Sequence, residues 1–342
     1  MTNREIAKKL QISPASLSLI LNNKPGISQA TRERVLRELR EMGYAHLIKP
    51  IRLPVPCTND LYFIVYLRSG YVMGYSPFVY LLTENVEKQA KKYGFNVLLK
   101  PMDGRADLEK EIEAINQSGA QGVLIMATEM LDEDIAHFSR LDVPYVAIDH
   151  DFTALNVNTV AINNQMGTYQ AVEYLVRMGH TDIGYVHTTE YISSWSERAY
   201  GYRQALAQFR LPLSDDKLYR ARYNGGYSYE DFKQIIASGS RLPTALVTDD
   251  DVIAVGVMRA LQEAGYRIPE DISIIGFNDR PVCELITPKL TSIDVPKEDF
   301  GTEALEFLVS LIEKKRDNRL PERAVKRRIT TRLVERQSVC RL

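Results

Sequence analysis

Residues 13–28 read SPASLSLILNNKPGIS, and this stretch decides how the amino-terminal region is interpreted. Serine followed by proline is a typical helix start, because serine accepts from first-turn N–H groups and proline has no N–H to leave unpaired. Leu17, Ile20 and Leu21 form one apolar stripe, and the Asn-Asn-Lys-Pro-Gly run ends the helix. Ser28 then caps another helix. The stretch therefore predicts a helix, a short turn and a second helix.

A further helix on the amino-terminal side completes a three-helix unit. Thr2 and Glu5 have the spacing of a capping box, and Gly43 closes the last helix. The inward-facing residues of the two outer helices are Ile6, Ala7, Leu10, Val35, Leu36, Leu39 and Met42. Residues 1–46 are therefore predicted to form an all-α helix-turn-helix headpiece, whose middle helix is presented outward as entry into a DNA major groove requires.

Charge separates this headpiece from the rest of the chain. The 342 residues have a net charge of −1, but residues 1–52 hold ten Lys or Arg against four Glu. Their net charge of +6 leaves −7 for the remaining 290 residues. The alternative is a solvated basic helix face, but together with the helix spacing a basic end on an acidic body favours binding to nucleic-acid phosphates.

Length and composition limit the remaining possibilities. A chain of 342 residues is expected to hold two or three domains. It has no run of about 18 apolar residues that could span a membrane, and its polar start does not resemble a signal peptide. Its three cysteines are far apart, so neither a disulfide framework nor a zinc spacing is indicated. We expect a cytoplasmic protein without a metal or cofactor.

Residues 47–59 contain three prolines within seven positions and are predicted to be a hinge or linker. Beyond them, apolar strands alternate with amphipathic helices. The predicted strands are 61–67, 95–99, 122–126, 145–148, 183–186, 245–247 and 272–276, and the helices lie near 78–93, 106–118, 132–140, 165–178, 197–210, 228–238 and 251–264. This alternation indicates α/β architecture with parallel sheets covered on both faces, in two lobes. Ligands of such folds bind beyond the carboxyl ends of the strands.

Over nearly its full length the chain resembles the LacI/GalR family of bacterial transcription regulators. The matching segments are 5–7, 13–18, 21–25, 28–35, 175–180, 198–202, 243–245 and 268–279, the last reading IPEDISIIGFND. The resemblance implies a homodimer that reads near-palindromic operator DNA, and a two-lobed periplasmic-binding-protein-like core that senses a small molecule. It also implies three crossings between lobes, with 60–158 and 291–318 in the amino-terminal lobe and 159–290 and 319–342 in the carboxyl-terminal lobe.

The DNA-contacting residues follow from the outward face of the middle helix and from the resemblance. They are Thr2, Ser13, Pro14, Ala15, Ser16, Ser18, Leu19, Asn22, Ser28 and Leu53. The family usually has a polar residue or arginine at Leu19. Leucine cannot hydrogen-bond guanine but can contact a thymine methyl, which predicts an A/T-dependent operator unless Leu19 packs against a neighbour instead. Ser18, Asn22 and Ser28 are placed for phosphate contacts.

The hinge also departs from the family pattern. Pro50-Ile51 replaces the usual Ala-Arg pair, whereas Leu53 keeps the place of a leucine that wedges into the minor groove. A plain packing role in the linker is the alternative for Leu53, since Pro54 ends any short helix there.

The effector site is assembled partly from strand ends and partly from the resemblance. Its candidates are Tyr71, Tyr75, Phe78, Asp149, Trp195, Arg198, Tyr227, Asp250 and Asn278. The family places an effector-binding arginine at Arg198, and a guanidinium suits vicinal hydroxyls or a carboxylate. Asn278 stands where the family usually has aspartate. Aromatic faces combined with paired polar groups are the chemistry of sugar recognition.

Each candidate also has a structural alternative. Arg198 could pair with Glu197 or Asp250 only to cap a helix, and residues 249–251 could only complement a helix dipole. Tyr71 and Tyr75 could be ordinary surface tyrosines.

Together these patterns predict a repressor controlled by a sugar or sugar phosphate. The alternatives are a nucleobase-sensing repressor, a sugar-binding protein without DNA function, and control by a phosphoprotein partner. No G-x-S-x-G elbow, P-loop or G-x-G-x-x-G occurs, so catalysis is not predicted.

Overall fold

The structure is a computed structural model that describes residues 3–21, 26–44, 47, 57–72 and 77–342, with Pro77 and Phe78 described by their backbone alone. It divides into two compact units, Met1–Pro56 and Cys57–Leu342. No helix of the described ranges is long and apolar enough to cross a bilayer.

The helices are α1 (Asn3–Lys9), α2 (Pro14–Leu21), α3 (Gln29–Glu41), α4 (Pro77–Lys92), α5 (Leu108–Ser118), α6 (Asn164–Arg177), α7 (Ser193–Gln208), α8 (Gly225–Ala237), α9 (Asp251–Glu263), α10 (Val282–Leu285) and α11 (Lys297–Arg316). The strands are β1 (Asp60–Leu67), β2 (Asn96–Asp103), β3 (Gly122–Met126), β4 (Tyr145–Ile148), β5 (Thr159–Ile162), β6 (Ile183–Thr188), β7 (Leu218–Ala221), β8 (Ala245–Thr248), β9 (Ser273–Asn278), β10 (Thr291–Asp294), β11 (Lys326–Ile329) and β12 (Arg332–Val334). Short 3₁₀ helices occupy Asp134–Arg140 and Asp215–Lys217.

The first unit contains the three predicted helices, which confirms the all-α headpiece. Ser13 Oγ accepts from the Ser16 N–H at 3.0 Å at the start of α2. Ser28 caps α3 by accepting from the Thr31 N–H, and Gly43 has the positive φ that ends a helix. The apolar faces predicted from the sequence form one buried cluster.

The second unit holds two six-stranded sheets, each at the centre of one lobe. The first sheet has the order β11-β5-β4-β3-β1-β2, and the second has the order β12-β10-β9-β8-β6-β7. All pairs are parallel except β10 with β12. Along β1, Phe63 and Val65 enter one core cluster while Ile64 and Tyr66 enter another, because successive side chains point to opposite faces. Both sheet faces are therefore buried, as the continuous apolar runs predicted.

The crossings between lobes lie later in the chain than the predicted boundaries. Thr159–Ile162 pairs within the first sheet, although residues from 159 onward were assigned to the second lobe. Thr291–Asp294 pairs with β9 in the second sheet, and the return to the first lobe begins only with α11, which packs on α4 and β3. Lys326–Ile329 still belongs to the first sheet, so the last crossing falls near residue 330 and not at 318.

The sequence did not predict β5, β7, β10 or β11, and the reason is physical. β5 reads TVAI, β7 reads LYRA and β10 reads TSID, so polar residues interrupt or shorten the apolar run of each. β11 reads KRRI, and its charged residues mask an edge strand. Pairing with a neighbouring strand, which the sequence does not show, determines each of them.

The packing of α8 against α9 gives a stability prediction. A Cβ at Gly256 would lie 2.6 Å from the Gly225 carbonyl oxygen and 2.7 Å from the Tyr229 nitrogen, both backbone atoms. Gly256→Ala is expected to lower the free energy of unfolding by about 1–3 kcal/mol, because the two helices must separate. Urea denaturation measures this change.

Gly225→Ala is the matched control, since its Cβ would meet its nearest atom at 3.5 Å. Equal unfolding midpoints for the two variants would contradict the close approach of the helices.

Candidate functional site

A cavity lies between the lobes, where the carboxyl ends of both parallel sheets meet. With its opening to solvent it encloses about 460 Å³. The first lobe lines it with Val72, Met126, Thr128, Asp149 and Ile162. The second lobe and the crossing segment line it with Ser194, Trp195, Arg198, Tyr223, Asp250, Asn278, Arg280 and Val295. Polar side chains of both lobes therefore face one enclosed space.

The guanidinium of Arg198 is the most deeply buried cation of this cavity, with the residue 4% exposed. Its Nε donates to Asn164 Oδ1 at 2.9 Å, and Nη1 donates to the carbonyl oxygen of Asp249 at 2.5 Å. Nη2 donates to Asn278 Oδ1 at 3.4 Å, and the group lies 3.8 Å from the centre of the Phe277 ring. Three neutral oxygens and an aromatic face therefore hold the charge.

Asp250 joins the cavity wall to the start of α9. Its Oδ1 accepts from the Val252 N–H and caps the helix, while Oδ2 accepts from Asn278 Nδ2 at 2.6 Å and Arg280 Nη2 at 3.0 Å. Capping and cavity lining are thus combined in one carboxylate. Asp251 points away from the cavity, where it accepts from the Ser292 hydroxyl at 2.6 Å.

The first lobe contributes a buried carboxylate, Asp149. Its Oδ2 accepts from the Thr128 hydroxyl at 2.7 Å, and burial raises the pKa of this carboxyl. Asp149 has a φ of +70° and Asn278 a φ of +99°, both in the left-handed region. Asp and Asn tolerate this conformation better than most residues, and such backbone strain concentrates at functional sites.

One wall of the cavity is aromatic. Trp195 is 4% exposed, and its ring centre lies 5.0 Å from that of Tyr223. Val72 packs into the same second-lobe cluster although its segment follows β1 of the first lobe. The Glu129 carboxylate fixes that segment by accepting four backbone N–H groups of residues 68–72 at 2.8–3.0 Å. A carboxylate of one lobe thus holds a strap that contacts the other.

The headpiece exposes one face of α2. Pro14, Ala15 and Ser18 are exposed, whereas Ser16 and Leu19 are half-buried. The Ser13 and Ser16 hydroxyls lie 2.9 Å apart, and Leu19 lies beside Gly26. This face is the one that the sequence predicts for base contacts.

Comparisons with known proteins follow this division. Residues 2–46 match the model of bacterial regulatory proteins of the lacI family, and residues 172–339 match a periplasmic binding protein-like domain. A probable HTH-type transcriptional repressor, ExuR of Bacillus subtilis, is 28% identical over 315 residues, 91% of this chain and 92% of the relative. The HTH-type transcriptional repressor PurR of Aliivibrio salmonicida is 25% identical over 320 residues, 93% and 94% of the two chains. The chain belongs to the LacI family of bacterial regulatory proteins.

The fold of this LacI-family chain is also found among solved structures. A LacI family transcriptional regulator from Enterococcus faecium, solved with bound ribose, is 25% identical with a TM-score of 0.65. The match covers 82% of this chain and 99% of that one.

The structure brings five of the nine predicted effector residues to the cavity: Asp149, Trp195, Arg198, Asp250 and Asn278. Arg198 contacts neither Glu197 nor Asp250 through any bond found in the described chain, so it is not simply a helix cap. It stands in the second turn of α7, not at its start, because α7 begins at Ser193 and not near residue 197.

Two of the remaining effector predictions, Tyr71 and Tyr227, are not among the residues that line the cavity. Tyr227 is 46% exposed, and the centre of its ring lies 4.6 Å from Arg222 Cζ. It therefore faces outward from α8 and does not line the cavity. Tyr71 packs against the second-lobe cluster. Tyr75, the Phe78 side chain, Thr2, Asn22, Leu53 and most of the predicted hinge lie outside the described residues.

The sequence did not identify Thr128, Tyr223 and Arg280 as cavity residues. Thr128 comes two residues after the predicted strand 122–126, and Arg280 comes four residues after the predicted strand 272–276, so the rule that ligands bind at carboxyl ends could have found them. Tyr223 follows β7, which the sequence did not predict, and it left no comparable signal.

The buried carboxyl beside the cavity gives a prediction about pH. Burial, and then the nearby Asp250, raise the pKa of Asp251 from 3.8 to about 7. The folded chain therefore keeps a proton that the unfolded chain has released, so this group makes the free energy of unfolding fall as pH rises from about 4 to 7. Asp251→Asn cannot ionise and is expected to lose less stability between pH 5 and pH 8 than the unaltered chain.

Urea unfolding at the two pH values measures this difference. Asp271→Asn is the control, because its pairing with Arg267 holds the pKa of that carboxyl at about 2, below the tested range. A pH dependence that is the same in all three proteins would refute the assignment to Asp251.

Proposed function

We propose that this chain is a sequence-specific DNA-binding repressor whose grip on operator DNA is controlled by a sugar or sugar phosphate in the cavity. The observation that carries the proposal is the convergence of Arg198, Asp250, Asn278 and Asp149 with the Trp195 ring around one enclosed space. The same chain begins with a helix-turn-helix headpiece.

The chemistry of the wall supports a polyhydroxylated effector. Guanidinium and amide groups donate, carboxylates accept in pairs, and the Trp195 and Tyr223 rings offer apolar faces for the C–H surface of a sugar. The ribose bound to the Enterococcus faecium regulator shows that this fold accepts a sugar. A purine base, the alternative that the sequence leaves open, is the competing ligand that the experiment must include.

An exposed apolar surface on the first lobe supports a homodimer. Tyr80 and Leu81 on α4, and Leu98 and Leu99 on the edge strand β2, are 72%, 39%, 40% and 53% exposed. Exposed apolar side chains on and beside an edge strand mark association surfaces. A second copy of this chain would cover them and place two headpieces on two half-sites.

Control by the effector requires that the lobes respond to it. A ligand shifts an equilibrium only as far as it binds one arrangement of the lobes better than the other. Side chains of both lobes line the cavity, so a bound molecule contacts both lobes and can make that difference.

The DNA-binding part is tested by adding a negative charge to the outward face of α2. Ala15→Glu is expected to weaken binding to a selected operator fragment at least about tenfold, because the new carboxylate faces phosphate and base edges. Arg40→Gln, on the exposed end of α3, lowers the net charge equally and is the control. Electrophoretic mobility shifts at several salt concentrations give both affinities, and equal losses would contradict a role for α2 in reading DNA.

The effector part is tested by titrating the full chain with sugars, sugar phosphates and hypoxanthine. Trp195, the single tryptophan of the chain, lines the cavity and reports binding by fluorescence. At least one sugar or sugar phosphate is expected to change both the fluorescence and the retention of operator DNA. A response to hypoxanthine alone would refute the carbohydrate effector, and no change of operator retention with any compound would refute control by the cavity.

A further inference from the structure

The cavity contains a buried guanidinium, that of Arg198, which forms no direct ion pair among the described residues, although the Asp149 carboxyl of the same cavity acts on it at longer range. Arg198 donates to an asparagine side chain, a backbone carbonyl and a second asparagine side chain. None of the ion pairs found among the described residues includes this guanidinium. Burial of an unpaired charge is costly, so a negatively charged partner would stabilise this arrangement strongly.

A second guanidinium faces the same space with unused donors. Nη2 of Arg280 donates to the Tyr223 hydroxyl oxygen and to Asp250 Oδ2, both at 3.0 Å. The Nε of this guanidinium is shielded from solvent and has no hydrogen-bond partner in the described chain, and Arg280 is the one cavity-lining residue among the four that have such an atom. A buried donor without an acceptor requires an explanation, and an acceptor on the ligand supplies one.

Asn278 stands between the two arginines and keeps their charges from being balanced equally. Its Oδ1 accepts from Arg198, and its Nδ2 donates to Asp250 at 2.6 Å. The Asp250 carboxylate is therefore directed to Arg280, while Arg198 receives only the neutral amide oxygen. An amide at this position therefore leaves Arg198 without the carboxylate partner that Arg280 has.

The start of α7 adds to this asymmetry. Helix α7 starts with Ile192 at its N-cap, a residue without a capping group, and its first-turn residues Ser194 and Trp195 line the cavity. Unpaired first-turn N–H groups and the helix dipole both favour an anion there.

We propose that the effector carries a carboxylate or phosphate, which binds between Arg198 and Arg280, and that Asn278 sets this preference for an acidic ligand. The inference rests on the proposed function, because it names the class of sugar that the same cavity takes. A neutral sugar would leave the Arg198 charge unbalanced and the Arg280 Nε–H dependent on a hydroxyl, so it binds more weakly.

Matched ligand pairs test the proposal on the full-length chain. The probes are glucose with glucuronate and glucose 6-phosphate, galactose with galacturonate, and ribose with ribose 5-phosphate, at constant ionic strength. Trp195 fluorescence and calorimetry give the dissociation constants. In at least one pair the acidic member is expected to bind at least about tenfold more tightly than its neutral parent, and the carboxylate and phosphate arms show which group is used.

Two variants test the assigned residues. Asn278→Asp places a carboxylate against Arg198 and is expected to reduce the acidic-to-neutral affinity ratio at least about tenfold, chiefly by weakening the acidic ligand. Arg280→Gln removes the second cation and is expected to reduce the same ratio. Arg267→Gln is the control, because this arginine of the same lobe pairs with Asp271 at the surface. Operator retention without ligand shows that each variant is folded.

Each outcome decides the proposal. The proposal is supported if the acidic member binds more tightly than its neutral parent and both variants reduce that affinity ratio. Neutral sugars that bind as tightly as their acidic partners, or acidic members that never bind, overturn it. In the first of these cases, release of operator DNA by a neutral sugar would leave the proposed function standing, whereas no effect of any probe on operator retention would refute the effector role itself.

Discussion

The second lobe is organised around one buried guanidinium group. Arg198 reaches from α7 to the start of α6, to the end of β8 and to the end of β9, through Asn164, the Asp249 carbonyl and Asn278. A cation away from water is tolerated only when its donors are satisfied. The start of α6 and the ends of β8 and β9 must therefore converge on the cavity, and the left-handed backbone at Asn278 is part of that convergence.

The first lobe completes the site without forming a direct ion pair with the Arg198 guanidinium. Asp149 and Thr128 face the cavity from the ends of β4 and β3, while the strap held by Glu129 places Val72 in the apolar cluster of the other lobe. At the cavity the first lobe thus contributes both polar groups and an apolar contact. A ligand that binds side chains of both lobes can change the relative stability of two arrangements of the lobes. Control of the headpiece by a ligand in the cavity requires such a change.

The sequence predicted those parts of the molecule that local chemistry determines. The caps at Ser13 and Ser28 identified the headpiece, and the apolar runs of β1, β3 and β4 identified the parallel sheets. The polar residues at the ends of β4, β8 and β9 identified Asp149, Asp250 and Asn278 in the cavity wall. The lobe boundaries were not predictable in the same way, because β5, β10 and the charged β11 depend on pairing partners far along the chain. The prediction for Tyr227 was wrong for a similar reason, because its ring lies against the Arg222 guanidinium, a contact that the sequence does not show.

The central claim is that one ligand links the cavity to the grip of the headpiece on DNA. The most direct measurement is the dissociation constant of the effector, read by Trp195 fluorescence, for the free chain and for the chain saturated with operator DNA. Linkage requires that operator changes effector affinity by the same factor by which effector changes operator affinity. The account predicts two equal factors that differ clearly from one. An effector affinity that is unaltered by operator DNA would contradict it.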